Sequence, residues 1–191
     1  RRLQYQIIEE HGKKIETGFT MVDSLKKDQI KVVYQGVEGA YSHAAAMQYF
    51  GDDVDAYHVK TWEDAMDDVE SGKADYAVIP IENSSAGAVV DNYDLLIKHH
   101  NVIVAETCVT VDHALLGLPK AELTDVERVY SHPQALMQSS DFLNQHDWQQ
   151  LSMENNAVAA QKVRDEKDPS QAAVAGEVAG EIYRLKKLAG P

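Results

Sequence analysis

The chain has a single cysteine, so it can form no internal disulfide, and a lone thiol suits a reducing compartment. Cys108 lies in an apolar run, which predicts a buried structural thiol rather than a nucleophile. Positive charge is scarce: 18 Lys+Arg face 31 Asp+Glu, a net −13 that disfavours nucleic acid and anionic membrane surfaces as partners. No apolar run approaches the ~20 residues of a membrane span. The start Arg1-Arg2-Leu3-Gln4 has no signal-peptide core, so a cytoplasmic location is expected. The histidines, His99-His100 included, show no metal-ligand spacing with cysteine or carboxylates, so no metal is expected. Hairpin dipeptides such as Asn-Gly or Asp-Gly are missing as well.

What is present is an ordinary globular balance, 44% apolar and 26% charged, in a chain of 191 residues that can bury one or two cores. Leu3, Ile7 and Ile8 read as a helical stripe ending at Gly12, followed by a polar connector to about Gln29. Strands are then expected at Lys31–Gln35, Val54–Val59 and Asp75–Pro80, alternating with helices at Ser42–Phe50, from Thr61 to Ser71-Gly72, and at Ala88–His99. Thr61-Trp62-Glu63-Asp64 has the form of a capping box.

Val102–Leu116 is long and β-branched, and reads as an extended crossover between two lobes. Alternation then resumes: strand Val126–Ser131, helix Pro133 to about Gln145, strand Asp147–Met153, helix Asn156–Arg164, strand Ala172–Ala175, helix Glu177 to Leu188. Helices after nearly every strand predict an α/β protein of two lobes with largely parallel sheets. The expected division is 1–30 as a helical or linker segment, 31–107 as lobe 1 and 108–191 as lobe 2, with a helix returning toward lobe 1.

Four polar motifs fall where a strand gives way to a helix. They are Gly36-Val37-Glu38-Gly39-Ala40-Tyr41-Ser42, Glu82-Asn83-Ser84-Ser85-Ala86-Gly87, Ser131-His132-Pro133-Gln134-Ala135 and Asn155-Asn156-Ala157-Val158-Ala159-Ala160. The C-terminal edge of such a sheet is where small ligands bind. Helix N-termini bind carboxylates without lysine or arginine, so an acidic chain can still hold a dianion. Each motif also has a plainer reading. Tight turns need glycine, Ser42, Ser84 and Asn156 are good N-caps, His132 suits a structural role, and Glu82 suits a structural pair.

Taken together, the first three motifs resemble, in order and spacing, the prephenate dehydratase family. The resemblance runs from about Lys31 onward and includes the Asn156-Ala157-Val158 and Ala172–Glu177 segments. It implies a two-lobed fold like the type 2 periplasmic binding proteins, with the active site in the cleft between lobes. It also implies decarboxylating dehydration of prephenate to phenylpyruvate in phenylalanine biosynthesis, with no cofactor. Residue by residue, it implies Glu82, Asn83, Ser84 and Gln134 as the catalytic set. Ala40, Tyr41, Ser42, Gly87, Ser131, His132, Asn156 and Ala157 would bind substrate.

The Arg2-Leu3-Gln4-Tyr5-Gln6 start is similar to the last helix of chorismate mutase domains, which precede the dehydratase in bifunctional proteins. Family members continue into a Thr-Arg-Phe segment, whose threonine is the favoured catalytic group, and then usually a phenylalanine-sensing ACT domain. The sequence stops at Pro191, before both. A chain ending there is expected to turn over little prephenate and, with an unpaired sheet edge, to self-associate or lose stability. The full-length parent is expected to be a homo-oligomer. Competing readings are a non-catalytic two-lobed module for small anions, and arogenate dehydratase, whose substrate has an amino group where prephenate has a keto group.

Overall fold

The computed structural model describes residues 2–10, 29–84 and 87–190. The chain divides into two units, one of residues 1–36 and 42–110, the other of 37–41 and 111–191. The polar connector expected up to Gln29 lies almost wholly outside the described residues.

In the first unit a sheet runs β3 (Asp55–Val59), β2 (Lys31–Gln35), β4 (Tyr76–Asn83), β1 (Arg2–Glu10) and β6 (Asn101–Thr110), with the two-residue β5 (Gly87–Ala88) against β4. The pairs β2–β3 and β2–β4 are parallel, as the alternation predicted. Strand β1 is antiparallel to both neighbours. It corrects the expected helical stripe. Tyr5, Gln6, Ile7 and Ile8 are all buried, and a strand covered on both faces shows no alternation for the sequence to display. A short apolar run of that kind fits helix and strand alike.

Helix α1 (Tyr41–Phe50) buries Ala45 and Ala46. Helix α2 (Trp62–Glu70) opens on the capping box, where Thr61 Oγ1 accepts from Asp64 N at 3.0 Å and Asp64 returns the bond to Thr61 N. Its Ala65, Met66 and Val69 pack with Ile8, Val33, Ala77 and Ile79 of the sheet, joined by Leu95 and Leu96 of α3 (Val90–Lys98). Strand β6 lies at the edge of the sheet, and Cys108 on it is exposed. The buried thiol expected from its apolar surroundings is therefore wrong. Ile103 and Val104 of the same strand are exposed too, so the apolar run does not mark a core here.

In the second unit the order is β11 (Lys186–Ala189), β7 (His113–Gly117), β10 (Gln171–Gly176), β8 (Arg128–Ser131) and β9 (Gln149–Ser152). Strands β8, β9 and β10 are parallel, whereas β7 runs antiparallel to both its neighbours, β10 and β11. The period of two divides the core. Ala114, Leu116, Ala173 and Ala175 face α6 (Asn156–Glu166) and α7 (Glu177–Tyr183), and Leu115, Ala172 and Val174 face α4 (Pro133–Gln138) and α5 (Ser140–Leu143). Strand β10 is buried at every position, and its alanines let helices approach on both faces.

Three local readings change. The extended segment 102–116 is two strands, β6 and β7, in different sheets. The helix expected from Pro133 breaks at Ser139 into α4 and α5. The last helix stops at Tyr183 because Arg184 turns left-handed (φ 54°), and the apolar spacing beyond it belongs to β11 on β7.

Candidate functional site

In the first unit β4 runs past Pro80 and carries Glu82 and Asn83 on its last two residues, where the sequence suggested a loop opening a helix. Pro80 faces Tyr5 beside a register shift in β1, the kind of place where a strand tolerates a residue without an N–H. Its carbonyl accepts from Asn92 Nδ2 at 2.6 Å, and Asn92 is fully buried, so α3 is tied to the strand just before the motif. Glu82 and Asn83 then pair with Ala88 and Gly87 of β5. Glu82 and Ser84 are exposed and Asn83 is half-buried. Ser85 and Ala86 lie outside the described residues. Polar side chains at an exposed strand end, braced by a buried asparagine, are presented to solvent rather than absorbed into the core.

Ser42 is different. It is buried, and its side chain hydrogen-bonds the phenol of Tyr5. Burial pushes the Tyr5 phenol well above its ordinary range, and the Ser42 bond opposes that only in part. Sequence reasoning had no signal for Tyr5, because it treated that segment as a helix outside the lobe.

In the second unit the polar residues gather at the edge formed by the ends of β8 and β10 and the start of β7. Gly39 has φ +86°, and a Cβ there would stand 3.1 Å from both Ala179 Cα and Tyr183 Cε2. Tyr183 Oη donates to Glu38 O at 2.6 Å, so the loop of the first motif is fastened to α7. Burial raises the Tyr183 pKa, with Glu38 adding to the effect. For Gly39 the plainer reading holds, since close packing requires the glycine. Ala40 is half-buried against the same cluster.

Ser131 is fully buried, and its hydroxyl lies 2.6 Å from Val174 O and 2.8 Å from Asn156 Oδ1. Asn156 Oδ1 also accepts from His132 N at 3.0 Å. Asn155 caps α6 by accepting from Ala157 N at 2.7 Å, and the Ala157 side chain is buried. Ser131, Asn155 and Asn156 thus bind the end of β8 to the start of α6. His132 caps α4, its Nδ1 accepting from Gln134 N at 3.1 Å. Pro133 follows in the first helical turn, where its missing N–H costs nothing. Gln134 is half-buried, and its carboxamide makes no hydrogen bond to another described residue. Among the residues expected from this motif, Gln134 is the one whose side chain stays uncommitted.

Tyr41, the first residue of α1, belongs to this unit. Its Oη lies 2.9 Å from His113 Nδ1, and His113 Nε2 lies 2.8 Å from Gln138 Oε1. Neither His113 nor Gln138 stood out in the sequence, one inside the long extended run and the other in the middle of a helix. No spacing would have joined them to Tyr41.

Among the described residues one group could bring metal ligands together. Asp67, Glu70 and His99 each offer an atom within 4.8 Å of the others. Sequence spacing gave no hint of it, since 29 positions separate Glu70 from His99. The Glu70 carboxylate accepts from His100 N at 3.1 Å, and His99 Nδ1 and His100 Nδ1 lie 2.9 and 3.1 Å away. These contacts, the backbone bond first, hold its pKa down to about 2. The arrangement reads as a hydrogen-bonded tie between the end of α2 and the turn that joins α3 to β6.

No helix among the described residues is long and apolar enough to cross a membrane. The sequence pattern of the family described as prephenate dehydratase matches residues 32–190. The chain is 38% identical over 172 residues to a bifunctional chorismate mutase/prephenate dehydratase of Escherichia coli (strain K12), covering 87% of this chain and 44% of the relative. It is 39% identical over 161 residues to arogenate dehydratase/prephenate dehydratase 1, chloroplastic, of Arabidopsis thaliana, covering 84% and 41%. Among solved structures, prephenate dehydratase in complex with L-Phe from Arthrobacter aurescens is similar with a TM-score of 0.73 and 26% identity, over 84% of this chain and 55% of that one. A protein described as GqqA, a novel type of quorum quenching acylase, is similar with a TM-score of 0.77 and 31% identity, over 84% and 58%. The chain spans less than half the length of the curated relatives it matches.

Proposed function

The chain belongs to the prephenate dehydratase family, and from that premise we propose that the protein converts prephenate to phenylpyruvate by decarboxylating dehydration, in the synthesis of L-phenylalanine. The observation that carries the proposal is the family match over 32–190, which takes in all four polar motifs. Prephenate loses its ring carboxylate as CO2 and its C4 hydroxyl as water, and aromatisation drives the step without a cofactor. The protein's part is to orient the dianion and to assist departure of the hydroxyl by proton donation. A site that gripped the ring carboxylate too well would oppose decarboxylation, so its contacts serve the transition state.

Gln134, Asn83 and Ser84 are assigned to hydrogen bonding of the substrate, with Glu82 as a further polar group. The uncommitted carboxamide of Gln134 and the solvent-facing end of β4 support this. His132, Gly87, Ala40 and Ala157 are assigned to shaping the site, and Ser42, Ser131 and Asn156 to supporting it from behind, since their side chains are engaged within the fold. A cytoplasmic homo-oligomer is the accompanying proposal for the full-length protein.

The Arabidopsis relative, described as both arogenate and prephenate dehydratase, favours arogenate as the second substrate to examine. The deciding experiment is an assay of the full-length protein with each compound, following phenylpyruvate from prephenate and phenylalanine from arogenate. Turnover of neither would overturn the proposal.

A further inference from the structure

The Tyr41–His113–Gln138 chain has a property that its two distances fix. Gln138 Oε1 can only accept, so His113 Nε2, 2.8 Å away, carries a proton. When the ring is neutral, Nδ1 accepts from the Tyr41 phenol at 2.9 Å. When the ring is doubly protonated, Nδ1–H donates to the same oxygen and the phenol proton turns outward. The Tyr41–His113 and His113–Gln138 bonds are kept in both states, and between these residues only the hydroxyl rotor turns. The Tyr41 ring itself is held in place, because a Cβ on Gly176 would meet its Cε1 at 2.9 Å. The phenol is therefore fixed at the edge of the sheet where β10 ends.

We propose that Tyr41 is the proton donor to the departing hydroxyl of the substrate, and that His113, pinned by Gln138, is the positioning residue that resupplies the proton. The inference rests on the dehydratase reading. In the step, Tyr41 Oη–H passes its proton to the C4 hydroxyl oxygen, the C4–O bond breaks and water leaves. The electron pair of the bond to the ring carboxylate moves into the ring, and that carboxylate leaves as CO2. His113 Nδ1–H returns a proton to the phenolate oxygen, leaving a neutral ring whose Nε2–H still donates to Gln138. The dianion thus takes up one proton and gives a monoanion, CO2 and water. His113 is half-buried, and solvent restores its proton between turnovers.

The test uses the full-length chain, its turnover of prephenate and arogenate being measured first. Turnover of neither overturns the functional reading and this one with it. With an active parent, Tyr41→Phe, which keeps the ring and its packing, should lower kcat by about 10²–10⁴-fold, the usual contribution of a general acid, and leave KM within about threefold. His113→Leu should lower kcat comparably, and the double variant should be no slower than Tyr41→Phe alone, because His113 acts through the phenol. His113→Asn, which can still bond Tyr41, should recover part of the loss. A folded Tyr41→Phe with kcat within about threefold of the parent would overturn the proposal, as would losses that multiply in the double variant. Should His113→Leu fail to fold, Tyr41→Phe decides alone.

Discussion

Replacing Ser131 by alanine separates a framework residue from a ligand-binding one within a single motif. The hydroxyl is fully buried, 2.6 Å from Val174 O and 2.8 Å from Asn156 Oδ1, and it has one proton to give. Asn156 keeps its bond from His132 N in the variant, so its oxygen remains satisfied. The loss falls mainly on the contact between β8 and the Val174 carbonyl of β10. A buried hydrogen bond removed from one side costs about 1–3 kcal/mol. For a chain of this size each kcal/mol moves the melting temperature by about 2–4 °C, so Ser131→Ala should melt roughly 2–12 °C below the parent. Thermal unfolding followed by circular dichroism reads this directly, and kcat per folded molecule at 25 °C should change little. A melting temperature within about 1 °C of the parent, a shift below ~0.5 kcal/mol, would refute the argument. So would a large drop in kcat at unchanged stability, which would place the hydroxyl against substrate instead of behind the site.

Gln134→Ala should do the reverse, with stability within about 0.5 kcal/mol of the parent and kcat/KM for prephenate lower by roughly 5–150-fold, the equivalent of about 1–3 kcal/mol; parental kinetics would remove Gln134 from the site. Gly39→Ala should cost roughly 2–4 kcal/mol in urea unfolding, since a left-handed alanine is strained and its Cβ crowds the Ala179 backbone. Glu70→Gln addresses pH. The Glu70 pKa is lowered to about 2 from an ordinary 4.5, so its stabilisation is present above pH 4.5 and is lost as pH falls through about 2. The variant should therefore melt below the parent at pH 7, with the gap closing between pH 4.5 and 2; a gap that widens there would show that the histidine contacts do not hold the carboxylate.

The sequence made some of these elements easy to read, and the reasons are local. Thr61 and Asp64 are three residues apart and satisfy each other's backbone N–H groups, so the start of α2 needs no tertiary information. The parallel strands β2, β3, β8 and β10 stood out because helices separate them. Strand β1 did not, because four consecutive buried residues from Tyr5 to Ile8 erase the alternation that marks a strand. The spacing predicts a longer α7 than the fold contains, because residues past Arg184 keep an apolar pattern that serves β11 equally well. Within the candidate site, motif residues could be named in advance, but their division of labour could not. Ser131, His132 and Gln134 lie within four consecutive positions, yet one is interior, one caps a helix and one is uncommitted. Only the pairing of β8 with β10 and the reach of Asn156 back to His132 separate them. Tyr41, His113 and Gln138 lie 72 and 25 positions apart, so no short pattern could have grouped them.

Residues 37–41 belong to the second unit although the chain on either side of them belongs to the first. Their anchor, the Tyr183 bond to Glu38, spans 145 positions. On a ribosome adding about 5–20 residues per second, that loop waits roughly 7–30 s for its partner to be made. During the wait the Gly39 turn has no α7 to pack against, so the first sheet must close around a loop that is still unanchored. The second unit therefore contains a piece that is made well before the rest of it. Cutting the gene at residue 110 would leave the second unit without residues 37–41, whereas a circular permutant that keeps 37–41 joined to both flanks would preserve both units.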